Sequence, residues 1–169
     1  FIFAAGLVLL LYPTVANYFN TRNSSRVISK YSEELEQLND LCEKAGCRMN
    51  ILLRIKPGID AHTHNFIQTG QIDSKFGFAL ETGEAKEAVL AANAYENLNL
   101  VGLHCHIGSQ ILDTAPFAEA ARVMLHFMDA LRAECGIVLH ELNLGGGPGI
   151  KYVERDDPKP FGDVIRAIL

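Results

Sequence analysis

An α/β fold with parallel strands is predicted by three observations. Some apolar runs alternate with period two, others repeat every three and four residues, and the two kinds follow one another in strict turn. Strand, helix, strand, helix, strand implies parallel pairing through right-handed crossovers. Polar residues at the far ends of the strands favour a section of a (β/α)8 TIM barrel over an open doubly wound sheet. A chain of 169 residues falls short of the about 250 typical of a closed barrel, so the barrel is expected to be partial.

Composition narrows the function. The chain is 49% hydrophobic and 21% charged, enough for a sizeable core, with a formal net charge of -5. No strongly basic surface exists to neutralise phosphates, and nucleic acid is not expected as a partner. The cysteines Cys42, Cys47, Cys105 and Cys135 suit free thiols in a reducing compartment, so a cytoplasmic place is expected for the barrel.

The elements follow in order. Residues 1–22 form the first expected unit, a hydrophobic helix. It carries no charge from Phe1 to Phe19 and is bordered by Tyr12, Tyr18, Arg22 and Arg26, which reads as membrane contact or a tether through residues 1–19. Because Phe1 is not Met, an upstream portion is expected. Residues 23–47 form the second unit, an amphipathic helix opened by Asn23-Ser24-Ser25. Val27, Tyr31, Leu35, Leu38, Cys42 and Ala45 lie on one face and Gly46 is the stop. Cys42 and Cys47 are assigned to structure.

Residues 48–169 form the third unit. Asn50 to Lys56 alternates and ends at Pro57-Gly58. Ala85, Ala88, Val89 and Ala92 mark a short helix. Asn99 to His106 is the second strand. A helix with Phe117, Ala121, Met124, Met128 and Leu131 on one face opens at Thr114 and Pro116 and stops near Gly136. The third strand runs from Ile137 to Leu144 and closes on Gly145-Gly146-Gly147. On the inward side stand Arg54 and Lys56, His104 and His106, then Glu141 and Asn143.

Three segments can carry chemistry. His104 and His106, two apart on a strand, project together, and Gly108-Ser109 turns the chain just beyond. Such a pair could bind metal, do acid/base work or lie flat on a planar cofactor. Zinc through His104 and His106 is the poorer reading, because Cys105 points to the opposite face. Gly145, Gly146 and Gly147 bare the backbone, and successive N–H groups can cradle a phosphate. The two turns together suggest a phosphate-bearing ligand. The polar loop with His62, His64 and Thr69 to Phe78 is expected to gather substrate contacts.

The ordered motifs Arg54-Ile55-Lys56-Pro57-Gly58, Asp73-Ser74-Lys75-Phe76-Gly77, Gly102-Leu103-His104-Cys105-His106-Ile107-Gly108-Ser109-Gln110 and Leu142-Asn143-Leu144-Gly145-Gly146-Gly147 resemble diaminopimelate decarboxylases from about Glu34 to the end. These are fold type III, alanine racemase-like enzymes that depend on pyridoxal 5'-phosphate. The resemblance implies decarboxylation of meso-diaminopimelate to L-lysine, in lysine biosynthesis, by a homodimer. It implies that His106 is the catalytic imidazole against the pyridoxal ring, that Ser109, Gly145, Gly146 and Gly147 hold the phosphate, and that no metal takes part. Relatives acting on ornithine or arginine are disfavoured by the His62 to Gly77 segment.

Two departures matter. Pro148 stands where the family has a bulky apolar residue and removes one N–H from the loop. The family's Schiff-base lysine, acidic pyridinium partner, substrate arginine and partner-subunit cysteine fall outside the matching segments. The chain is therefore expected to be inactive alone and to aggregate through open strand edges.

The start resembles a second family. Gly6 to Asn20 with Ser25-Arg26-Val27-Ile28 and Tyr31 is similar to the membrane-anchoring start of class C sortases. That resemblance covers about residues 1–40, without the sortase catalytic motifs. It implies a junction within Ser32 to Leu41, and a membrane-anchored noncatalytic chimera is the alternative reading.

Overall fold

The structure, a computed structural model, describes residues 30–59 and 76–169. The expected hydrophobic helix at 1–22, the start of the unit at 23–47 and the loop carrying His62, His64 and Thr69 lie outside these residues. Among the described residues no helix is long and apolar enough to cross a membrane.

Helix α1 covers residues 30–45 and stops where the sequence puts its breaker. Gly46 takes a left-handed φ of 61°, and its N–H and that of Cys47 return to the carbonyls of Glu43 and Cys42. Those bonds satisfy two of the last-turn acceptors. Strand β1 (Met49–Lys56) follows, then β2 (Phe78–Ala79). Helix α2 (Glu84–Asn93) starts at Gly83 without a side-chain cap but with Glu84 and Glu87 in its first turn, where carboxylates favour the positive end of the helix dipole.

Next come β3 (Leu98–His104) and α3 (Ala115–Cys135), which has Thr114 ahead of it, proline in its first turn and left-handed Gly136 at its end. Proline there costs nothing, since that N–H has no helical acceptor. Strand β4 (Glu141–Asn143) and α4 (Phe161–Ile168) complete the described order.

All three strand pairings are parallel, in the order β2-β1-β3-β4. Between β1 and β3 the register slips once: Ile51 lies opposite Leu100 and Leu52 opposite Gly102, so Val101 has no counterpart. Beyond the slip, Leu53 pairs with Leu103 and Arg54 with His104. One face of the sheet packs on the helices through Leu53, Ile55, Leu103 and Cys105, meeting Ala85, Ala88 and Val89 of α2 and Phe117, Met124 and Leu131 of α3. Each side chain as deeply buried as Ile55 or Leu131 contributes about 1.5–3 kcal/mol. Glu84 is the buried charged residue of this layer, and its Oε2 accepts the Ala79 N–H at 3.0 Å. The sheet's other face carries Arg54, His104, Glu141 and Asn143 and is partly or fully open.

Two expectations are corrected and two elements are added. The second strand ends at His104, not His106, because β4 stops at Asn143 and leaves only the Asn143 carbonyl to take the Cys105 N–H. The third strand begins at Glu141, not Ile137: the chain from Gly136 is occupied in capping α3, with Ile137 N–H bonded to the Leu131 carbonyl. Strand β2 and helix α4 were not foreseen. Two residues show no period, and α4 is a single eight-residue run.

Candidate functional site

The parallel strands end at one rim. Arg54, His104 and Asn143 stand level across β1, β3 and β4. Asn143 Oδ1 accepts the Gly145 N–H at 2.8 Å and lies 3.2 Å from His104 Nδ1. A backbone N–H can only donate, so that atom is an acceptor and His104 donates to it from Nδ1. The Arg54 guanidinium lies over the Phe76 ring, 5.1 Å from its centroid, a cation–π arrangement.

His106 lies two residues past the end of β3, half-buried, between buried Cys105 and Ile107. The alternation thus outlasts the ladder. A Cβ built on Gly145 would stand 2.7 Å from the Cys105 carbonyl oxygen and 2.9 Å from His106 Nδ1. Gly145 also has a φ of 74°, so glycine is required there twice over. Burial holds the His106 pKa below its ordinary value, with the Arg54 and His104 charges acting in the same direction. The neutral ring is favoured. Burial pushes the neighbouring Cys105 thiol up to about 11, on the helix side of the sheet as the alternation requires.

The turn containing Ser109 and the glycine bend are fastened together. The Ile111 N–H donates to the Gly147 carbonyl at 3.0 Å and the Gly149 N–H to the Ile111 carbonyl at 2.8 Å. The Gln110 side chain, on a residue with φ of 58°, closes both polar groups of Ile150: it accepts that N–H at 3.0 Å and donates to that carbonyl. A Cβ on Gly147 would overlap the Gly108 carbonyl oxygen at 2.1 Å.

Pro148 fits this arrangement at no cost. It forms a parallel bridge with Ile111, and such a bridge uses the carbonyl before it and the N–H after it, leaving its own nitrogen out. Among the described residues, the N–H groups of Gly146 and Gly147 have no intramolecular acceptor. No heavy atom lies within 4 Å of a Cβ built on Gly146.

The rim therefore brings together His106, Gly145, Gly147 and the turn holding Ser109, which is itself exposed. The supporting roles of two residues were not read from the sequence. Asn143 ties His104 to the bend, and the only signal for it was an amide side chain at the last strand position before a glycine run. Gln110 gave no signal, since its clamp spans forty residues of chain. Among the described residues no group of three or more His, Cys, Asp or Glu side chains is placed to hold a metal ion.

A parallel sheet covered by helices on one face, with an imidazole and a bare-backbone bend at the carboxyl ends of adjacent strands, defines a module for a flat, anionic cofactor. The chain belongs to the pyridoxal-dependent decarboxylases, through their pyridoxal binding domain, whose family model matches residues 18–169. It is 47% identical to diaminopimelate decarboxylase of Halalkalibacterium halodurans over 136 residues, 80% of this chain and 31% of that enzyme. Against the enzyme of the same name from Bacillus methanolicus it is 44% identical over 171 aligned positions, 94% of this chain and 40% of the relative.

A solved structure, diaminopimelate decarboxylase from Helicobacter pylori complexed with L-lysine, superimposes with a TM-score of 0.71 at 36% identity, covering 81% of this chain and 34% of that one. The chain spans roughly a third of the length of the curated relatives it matches.

The family match starts at residue 18, ahead of Glu34. The junction expected within Ser32 to Leu41 thus lies inside the matched residues, so no family boundary falls there, and residues 1–17 lie outside the match. Pyridoxal phosphate is the cofactor of this domain. The residues present fit it: two unspent backbone donors at the bend suit an anion, and the absence of a Cβ on Gly145 lets the bend lie against the His106 ring.

Proposed function

We propose that the chain is the cofactor-binding part of a diaminopimelate decarboxylase, which converts meso-diaminopimelate to L-lysine. The close approach of Gly145 to His106 carries this reading, because it puts a ring and an anion cradle within one site. In it, residues 48–169 are a section of the (β/α)8 barrel, and the polar face of the sheet is the barrel interior. His106 lies against the pyridoxal ring. Ser109 and the N–H groups at Gly146 and Gly147 take the phosphate, with Gly145 giving the room for it.

The cofactor, when bound, supplies an electron sink for loss of carbon dioxide. The protein's own work is placement. Asn143 fixes the first residue of the bend and holds the His104 ring. The clamp of Gln110 on Ile150 keeps the Ser109 turn beside the bend. Burial, helped by Arg54 and His104, disfavours the protonated form of His106, leaving a neutral ring to stack. The amino-acid substrate and assembly as a homodimer belong to the same reading.

Titration of the chain with pyridoxal phosphate, followed by amide NMR, tests it. The expected result is shifts at residues 105–109 and 145–147, lost on Gly147→Ala and much weaker with pyridoxal lacking the phosphate. Shifts elsewhere, or equal response to both ligands, would overturn it.

A further inference from the structure

We propose that Cys42 and Cys47 form a dithiol site that closes to an intramolecular disulfide by exchange with a low-molecular-weight disulfide. The ending of α1 makes the pair. Gly46, left-handed at φ 61°, sends its N–H to the Glu43 carbonyl, and Cys47 sends its N–H to the Cys42 carbonyl, both at 3.0 Å. This double closure brings the side chain four places before Gly46 against the one just after it, and an apolar contact ordinarily fills that position. Here both side chains are thiols.

A second observation agrees. Burial raises the Cys42 pKa, and the neighbouring Cys47 thiol adds to that rise. Neither sulfur is in a disulfide.

Exposure divides the labour. Cys42 is 2% exposed, whereas Cys47 is open to solvent. The Cys47 thiolate attacks one sulfur of the small disulfide, forming a mixed disulfide and expelling one thiolate. Cys42 then gives its proton to water and attacks Cys47 Sγ, and the second small thiolate leaves. Two cysteine thiols are oxidised, one small disulfide is reduced to two thiols, and both leaving thiolates take up protons. The closed ring staples the end of α1 to the entry of β1, the strand that carries Arg54. This inference is independent of the cofactor reading.

Oxidised glutathione added to the intact chain, followed by alkylation and trypsin, tests it. Cleavage after Lys30, Lys44 and Arg48 gives peptides 31–44 and 45–48, which only a Cys42–Cys47 bond can join. We expect the chain to lose two hydrogens and the two peptides to appear joined until dithiothreitol is added. Cys47→Ser should abolish the joined pair and leave Cys42 unmodified. Cys42→Ser should instead trap a stable glutathione adduct on Cys47. Cys105→Ser and Cys135→Ser should change neither result. A persistent adduct on Cys47 in the unsubstituted chain, pairing with Cys105 or Cys135, or two thiols that stay reduced would each overturn the proposal.

Discussion

Gly145 and His106 touch across two strand-end loops so closely that a single added methyl group would stand 2.9 Å from the ring nitrogen Nδ1. The same methyl would press on the carbonyl oxygen of Cys105, a residue tied through its N–H to the Asn143 carbonyl. Gly145→Ala also forces a side chain onto a left-handed φ of 74°, costing about 1–3 kcal/mol. Gly146 has no positive φ and no neighbour within 4 Å of a built Cβ, so Gly146→Ala should unfold in urea with the unsubstituted chain. Denaturant midpoints of the two variants measure the contrast.

Asn143 is the hinge pin of the bend. Asn143→Ala removes the acceptor for the Gly145 N–H, worth about 0.5–1.5 kcal/mol, and frees the His104 ring. Amide hydrogen exchange at Gly145 should quicken, while exchange at Leu103 in the ladder should not change. Asn143→Asp keeps an acceptor in the same place and should restore protection.

Glu84 tests a buried bond at the end of β2. Glu84→Ala leaves the Ala79 N–H, buried beside it, without its acceptor, and the stability loss should be about 1–3 kcal/mol. Glu84→Gln retains a carbonyl oxygen and should recover most of it. Urea titration of the pair separates hydrogen bonding from simple loss of volume.

His106 should make the fold sensitive to mild acid. Its folded pKa lies below the ordinary 6.5, so just under that pH the unfolded chain binds more protons than the folded one. Stability then rises with pH through this window. The contribution is complete above about 6.5 and is lost as pH falls from there through the lower folded value. Stability measured between pH 7 and pH 5 should fall more steeply in the unsubstituted chain than in His106→Gln, which lacks the titration.

The sequence showed those parts whose physics is local. Gly46 and Gly136 end helices because their φ values are left-handed, and Thr114-Pro116 opens α3, so α1 stops and α3 starts and stops within a residue or two of their signals. The convergence of residue 106 with the glycine bend was legible for a topological reason: both follow parallel strands, and parallel strands share one carboxyl rim. What the sequence hid depends on partners. β2 is two residues defined only by pairing to Ile55 and Lys56. β4 is short because Gly136 and Ile137 are spent on the cap of α3. The role of Asn143 rests on a contact with His104, thirty-nine positions away, which no period reveals.

The slip beside Val101 has a consequence for how the histidines are aimed. Before it, even-numbered Leu98 and Leu100 are buried, and after it odd-numbered Leu103 and Cys105 are. The unmatched residue acts as a parity switch, absorbing one position so that the second half of the strand keeps step with Leu53 and Arg54. Were Val101 drawn into regular pairing, every later side chain would change sides, sending both imidazoles into oil and a thiol to the rim. The aim of His104 is therefore set by its neighbour strand and not by a count along its own.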